Sequence, residues 1–316
     1  MFISIEKAVE IIKNGEPVAF PTETVYGLGA DAWNPDAIKR VFEIKGRPAD
    51  NPLIVHIATS EQVKNFAADI PEAASILMEA CWPGPLTMVF KKRPEVMDMV
   101  TAGLQTVAIR WPGHALAQEL IFRAGPLVAP SANRSGRPSP TKAEHVTDDF
   151  GRDFPVVDGG TTQIGLESTV LDVTGKPLRI YRPGYLGKEK FEELTRLEVI
   201  HQQNMDDQEV RSPGTKYSHY SPNASVRWYR TEKMSPPADS STMLLLHSTG
   251  IQHQPRNMIH YHGNYRKFAN ELYDRFRQAD HRGIKEILVE PFSSALLQEE
   301  PLARALENRI SKAIGE

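Results

Sequence analysis

Residues 45–56 read KGRPADNPLIVH: two cations, Lys45 and Arg47, on a glycine–proline turn, then an apolar run ending in His56. Pro48 and Pro52 fix φ, and Gly46 lets the backbone come close to a ligand. Cations held on so stiff a turn suit a polyanion such as a nucleotide phosphate chain, because little side-chain freedom is lost on binding. A lone turn of this kind is usually a solvated surface feature, so its meaning depends on what accompanies it.

Three further segments are polar or glycine-rich where a strand is expected to end. Thr22-Glu23-Thr24 places two hydroxyls beside a carboxylate, although Thr also simply favours strands. Residues 131–141 (SANRSGRPSPT) follow an apolar stretch and lead into a helix. Successive hydroxyls and amides at such a place form an anion or nucleotide cradle. A cap and turn would account for Thr141, but not for the density of Ser131, Asn133, Ser135 and Ser139. Gly159-Gly160 and residues 165–169 (GLEST) fit a ligand-facing turn or a plain hairpin equally well. Arg110 and Arg182 each close an apolar strand pattern, where a guanidinium can fork onto a carboxylate or phosphate, or serve as an ordinary ion-pair residue.

The sequence lacks G-x-S-x-G, H-E-x-x-H and the Walker P-loop, so no serine hydrolase, zincin or P-loop enzyme is expected. His219, His247, His253, His260 and His262 are not spaced as metal ligands backed by carboxylates, and no dedicated metal site is expected. A single cysteine, Cys81, rules out an internal disulfide and a Cys-rich zinc site. The net charge of −3 opposes broad coating of nucleic acid. No run approaches the ~20 apolar residues of a membrane span, and no signal-peptide pattern is present, so a cytoplasmic protein is expected.

Capping and periodicity give the elements that must position these groups. Helices are expected over 5–13 (capped by Ser4, stopped by Gly15), 35–45 (capped by Asn34 with Pro35 first), 61–68, 72–80, 115–123 and 142–148. For the last of these, Thr141 and Glu144 form a capping box. Strands are expected at 17–20, 53–57, 86–90, 106–110, 127–129, 156–157, 168–173 and 178–181, with residues 21–29 as a turn. The mixture lacks a βαβ rhythm, which predicts an α/β fold with a twisted, mixed-direction sheet and flanking helices. After a Pro-, Gly- and Ser-rich loop the rhythm changes, with strands at 226–229, 243–247, 258–261 and 287–289 and helices at 265–279 and 302–313. That predicts a smaller α/β domain with a mainly parallel, Rossmann-like sheet. The expected division is 1–204, a linker over 205–223, and 224–316.

Taken in order, the blocks PTETVYGLG (21–29), KGRPADNPLIVH (45–56), WPGPLT (82–87), VAIRWP (107–112), APSANRSGRPSPT (129–141), GLESTV (165–170) and IYRPG (180–184) closely resemble the L-threonylcarbamoyladenylate synthase family, whose catalytic module is the YrdC-like domain. SPGTKYSHYSP (212–222) and ALENRISKA (305–313) resemble the linker and C-terminal domain of its long, two-domain form. Ser218 and Ser221 depart mildly from the linker pattern.

The resemblance implies that L-threonine, bicarbonate and ATP give threonylcarbamoyl-adenylate and pyrophosphate. A partner transferase then passes the threonylcarbamoyl group to tRNA. It implies Lys45 and Arg47 as the catalytic pair, which hold the phosphates with Asn51. Thr106, Ser131, Asn133, Ser139, Arg182 and Tyr220 complete the ATP site, Tyr220 folding over the nucleotide as part of a lid. Thr24, His56, Arg110 and Ser168 bind threonine. Magnesium is expected only with the ATP phosphates, and direct contact with tRNA should be weak. The alternative, a double-stranded RNA or tRNA-binding module without catalysis, fits poorly with a negative chain whose cations cluster in ligand-type turns.

Overall fold

The computed structural model describes residues 1–202, 220–229, 240–248 and 257–315. A large sheet is built from β1 (Val18–Phe20), β2 (Gly27–Asp31), β3 (Ile54–His56), β4 (Leu86–Lys91), β5 (Thr106–Arg110), β6 (Leu127–Val128), β7 (Thr169–Asp172), β8 (Leu178–Arg182) and β9 (Val199–His201). Their order is β1-β2-β6-β3-β5-β4-β7-β8-β9. Parallel neighbours (β3 with β5, β4 with β7, β8 with β9) alternate with antiparallel ones, so the sheet is mixed. The helices around it are α1 (Ile5–Lys13), α2 (Pro35–Lys45), α3 (Glu72–Cys81), α4 (Asp98–Thr101), α5 (Ala115–Ala124), α6 (Ala143–Phe150) and α7 (Lys188–Thr195).

A second sheet, β10 (Ser225–Trp228), β11 (Thr242–Leu246), β12 (Met258–His260) and β13 (Glu286–Val289), has the order β10-β13-β11-β12 and is parallel throughout. α8 (Tyr265–His281), α9 (Ser294–Glu299) and α10 (Pro301–Ile314) accompany it. The mixed first sheet and the smaller parallel one match the expected α/β architecture.

Local chemistry explains how α2 delivers its cation. Asn34 Oδ1 accepts from the Asp36 and Ala37 amides, and Pro35 opens the helix. Gly46 ends it at φ +60, a conformation open to a residue without Cβ, and the Gly46 and Arg47 amides close back on Glu43 and Phe42. The chain therefore reverses at once after Lys45 and feeds Arg47 toward β3.

The two halves meet along α8 and α10. Arg277 bonds Asp149 at 2.8 Å and the Pro138 carbonyl at 2.6 Å, Lys142 and His145 both reach Asp274, and Arg137 reaches Asp280 at 3.0 Å. At Gly165 (φ +84) an added Cβ would lie 2.4 Å from the Asn270 Cα, so only glycine permits this approach.

Several expected elements differ. Residues 21–29 hold strand β2 as well as a turn, because Val18–Phe20 pairs antiparallel with Gly27–Gly29. The segment near 61–68 is a 3-10 helix, Ser60–Asn65, rather than an α-helix. Val156 makes only isolated bridges with Phe2 and Ala19. The Thr141–Glu144 capping box does not form: Lys142 occupies the cap position of α6 without a side-chain bond, and the Thr141 amide donates to His145 Nδ1 at 3.2 Å. α4, α7, β9 and α9 are additional to the expected elements. The linker expected over 205–223 lies outside the described residues up to His219.

Candidate active site

A cleft opens where the α2–β3 turn, the carboxyl ends of β3 and β5, the 129–137 loop and the 167–168 segment converge. The parallel register of β3 with β5 sets His56 directly beside Arg110, and Thr87 of β4 lies opposite Arg110 on its other flank. In-register neighbours project from the same sheet face. Pairing of distant strands thus makes one cluster from three separate motifs.

Among the described residues, five cations line the cleft, Lys45, Arg47, Arg110, Arg137 and Arg182, against one carboxylate, Glu167. A chain of net charge −3 therefore concentrates positive charge in this depression, which favours anions of high charge density. Lys45 is 3% exposed, and its Nζ donates to the carbonyls of Ser131 at 2.5 Å and Asn133 at 2.6 Å. Burial, reinforced by the charge of Arg47, pushes the Lys45 pKa well below its ordinary value. Arg47 donates to the carbonyls of Asn51 and Pro52, and burial lowers its pKa to about 10.

On the opposite wall, Arg182 donates through Nε to the Ser168 carbonyl and through Nη2 to Ser168 Oγ, both at 3.1 Å. Ser168 Oγ also shares a 2.8 Å bond with Thr87 Oγ1. Burial lowers the Arg182 pKa. Arg110 pairs with the buried Glu23 at 2.8 Å. His56 Nδ1 lies 3.2 Å from the Ile54 carbonyl, and burial, followed by the charge of Arg110, holds its pKa at about 3. Its imidazole is therefore neutral. With Nδ1–H donating to Ile54, Nε2 remains as an acceptor.

Of the residues expected from sequence, Lys45, Arg47, His56, Arg110, Ser131, Asn133, Ser168, Arg182 and Tyr220 line this one cleft. Four do not. Thr24 is fully buried one layer behind, its hydroxyl bonded to that of Thr22, which does line the cleft. Ser139 is turned inward and donates to Glu167 at 2.5 Å. The Asn51 carbonyl anchors Arg47, while its buried amide oxygen and nitrogen have no partner. Thr106 starts β5, at the opposite end from Arg110 and paired with Lys91. Thr22, one of the two hydroxyls noted in the sequence, lines the cleft together with Arg137 and Glu167, which were not expected there, and Thr87 bonds Ser168 beside it. Thr22, Arg137, Glu167 and Thr87 lie within the quoted blocks, but only the pairing of those blocks in space gives them their place.

The lining shows what a metal would meet. Glu167, the one carboxylate that the described residues put there, accepts from Ser139, Tyr273 and Arg309. Among the described residues, no group of three or more His, Cys, Asp or Glu could hold an ion. The residues do not fit a resident magnesium site.

Guanidinium and ammonium groups in one cleft, with hydroxyls and a neutral imidazole beside them, make a site suited to anions. A sequence profile for the Sua5/YciO/YrdC group, described as "Telomere recombination", matches residues 10–184, and one described as the threonylcarbamoyl-AMP synthase C-terminal domain matches residues 187–315. The chain belongs to the Sua5/YciO/YrdC family, in its long, two-domain form. It is 40% identical to the threonylcarbamoyl-AMP synthase of Pyrococcus abyssi, over 98% of this chain and 94% of that protein. The threonylcarbamoyl-AMP synthase of Bacillus subtilis is 50% identical over 70% of this chain and 65% of its own length. The crystal structure of P. abyssi Sua5 complexed with L-threonine has a TM-score of 0.86 and 40% identity, with 98% of this chain and 94% of that one covered.

Proposed function

We propose that this chain is a threonylcarbamoyl-AMP synthase, which converts L-threonine, bicarbonate and ATP to threonylcarbamoyl-adenylate and pyrophosphate. The carrying observation is the register that sets His56 beside Arg110, within the same cleft as Lys45, Arg47 and Arg182. The chemistry divides into two steps. The threonine amine attacks bicarbonate, a C–N bond forms and water leaves. A carbamate oxygen then attacks the α-phosphorus, and the bond to the β-phosphate oxygen breaks as pyrophosphate departs. Both steps press anions together, so charge neutralisation and positioning supply the catalysis and no protein nucleophile is required.

In this reading Arg110 forks onto the threonine carboxylate, and His56 Nε2 with Ser168 receives its polar groups. Lys45, through the loop it braces, and Arg47 with Arg182 take the phosphates, beside Ser131 and Asn133. Tyr220, stacked on Tyr273 with ring centroids 5.4 Å apart, closes one side. The reaction class is nucleotidyl transfer, and magnesium enters as part of the ATP substrate, on its phosphates. The product would pass to a tRNA threonylcarbamoyl transferase, in the cytoplasm.

Threonine-dependent pyrophosphate release, with bicarbonate present, tests the proposal. A site that bonds the substrate hydroxyl leaves buried groups unpaired when the hydroxyl is missing. Valine should therefore turn over at least about a hundredfold more slowly than threonine. Equal turnover of valine would show that His56 and Ser168 are not the threonine site.

A further inference from the structure

Glu167 is an odd residue for a cleft that gathers anions. It is 7% exposed and, among the described residues, is the one carboxylate in a lining with five cations. Left bare, it would repel phosphates and a carbamate alike. Three donors cover it instead. Ser139 Oγ bonds it at 2.5 Å, the Tyr273 hydroxyl lies 3.2 and 3.1 Å from its two oxygens, and Arg309 Nε bonds Oε2 at 2.8 Å. Two of these three come from the second half of the chain, Tyr273 from α8 and Arg309 from α10.

Arg309 has no exposed surface at all. Its Nη2 donates to the Pro183 carbonyl at 3.1 Å and its Nη1 to Asn308 at 2.8 Å, so the guanidinium is fixed in orientation. The same group lies 5.6 Å from the centre of the Tyr220 ring, within cation–π range, and Tyr273 stacks on that ring. Tyr220 lines the cleft. Arg309 therefore bears on two cleft-wall groups: the charge of Glu167, which Arg182 also offsets, and the placement of Tyr220. The ion pairs of Arg277 with Asp149 and of Arg137 with Asp280 also join the two halves, but they do not reach Glu167.

We propose that the C-terminal domain completes the nucleotide side of the active site, and that Arg309, supported by Tyr273, is a positioning residue that neutralises Glu167 and fixes Tyr220 at the cleft wall. This rests on the synthase reading of the cleft. Removing Arg309 leaves the Glu167 carboxylate facing incoming phosphates. The damage should fall mainly on ATP, since His56 and Arg110, two of the three groups given to threonine, lie on the β3–β5 side of the cleft. The part of the effect that comes from the bare charge should disappear when the carboxylate is also removed, leaving the part carried by Tyr220.

The experiment compares the full chain with Arg309→Met, Arg309→Met/Glu167→Gln and Tyr273→Phe. ATP affinity without threonine, the two KM values and the melting temperature are measured for each. Arg309→Met should raise the ATP Kd and KM at least about tenfold with the threonine KM within about threefold, and added Glu167→Gln should recover at least about threefold of that loss, the remainder being the part carried by Tyr220. Tyr273→Phe, which removes a hydrogen bond without stranding a charge, should weaken ATP binding a few-fold on its own and carries the test if Arg309→Met does not fold. Equal shifts in both KM values, an unchanged ATP Kd in these variants, or no recovery with Glu167→Gln would overturn the inference. Lack of threonine-dependent pyrophosphate release by the unaltered chain would instead refute the synthase reading, and the ATP Kd comparison would still decide the role of Arg309.

Discussion

Lys45→Ala is the sharpest perturbation of the cleft, because the Lys45 ammonium touches the chain itself. Its two bonds hold the carbonyls of Ser131 and Asn133, and with them the loop that carries the nucleotide-side hydroxyl and amide groups. A hydrogen bond to a charged group contributes about 1.5–3 kcal/mol, so losing both costs about 3 kcal/mol even at the lower limit. If that loss falls on the transition state, kcat/KM drops roughly 150-fold. Lys45→Arg should not restore activity: the two acceptors lie 2.5 and 2.6 Å from a single nitrogen in a site 3% exposed, which leaves no room for a planar fork. Desolvation and the charge of Arg47 lower the Lys45 pKa, and arriving phosphates oppose that shift. Pyrophosphate release across an ATP titration measures the loss. Activity of Lys45→Ala within about threefold of the parent, or restoration by Lys45→Arg, would refute the reasoning.

Two further outcomes follow from the packing. His56 titrates at 6.5 when unperturbed and at about 3 in the fold, so between these values the unfolded chain binds the extra proton. Its contribution to stability is complete above 6.5 and is lost as pH falls toward about 3, by up to ~1.4 kcal/mol per pH unit. His56→Gln should flatten that part of the acid limb in urea unfolding, and an unchanged limb would contradict the assignment. Gly165→Ala drives a Cβ to 2.4 Å from the Asn270 backbone at a positive φ. It should destabilise the chain by about 2 kcal/mol or more, read by thermal unfolding, and parental stability would mean the two halves do not dock this closely.

The sequence by itself determined what is local. The Asn34 cap with Pro35, the Gly46 stop that brings Lys45 and Arg47 together, and the apolar strands closing on His56, Arg110 and Arg182 are all set by residues close in the chain. The division into a mixed and a parallel sheet was legible too, from the change in rhythm after the loop. What needed the tertiary structure was long-range pairing. Gly27–Asp31 has none of the β-branched residues that mark a strand, and it becomes one because β1 and β6 supply partners on both edges. Ser139 and Thr24 have the composition of ligand contacts, yet their hydroxyls are taken by Glu167 and Thr22. Thr106 shares a strand with Arg110, but sits at the end away from the cleft. Glu167 and Arg309 meet only when α10 docks against the first domain. Side-chain chemistry can be read one residue at a time, whereas the face a side chain occupies and the partner that claims it are properties of strand register and of burial between distant segments.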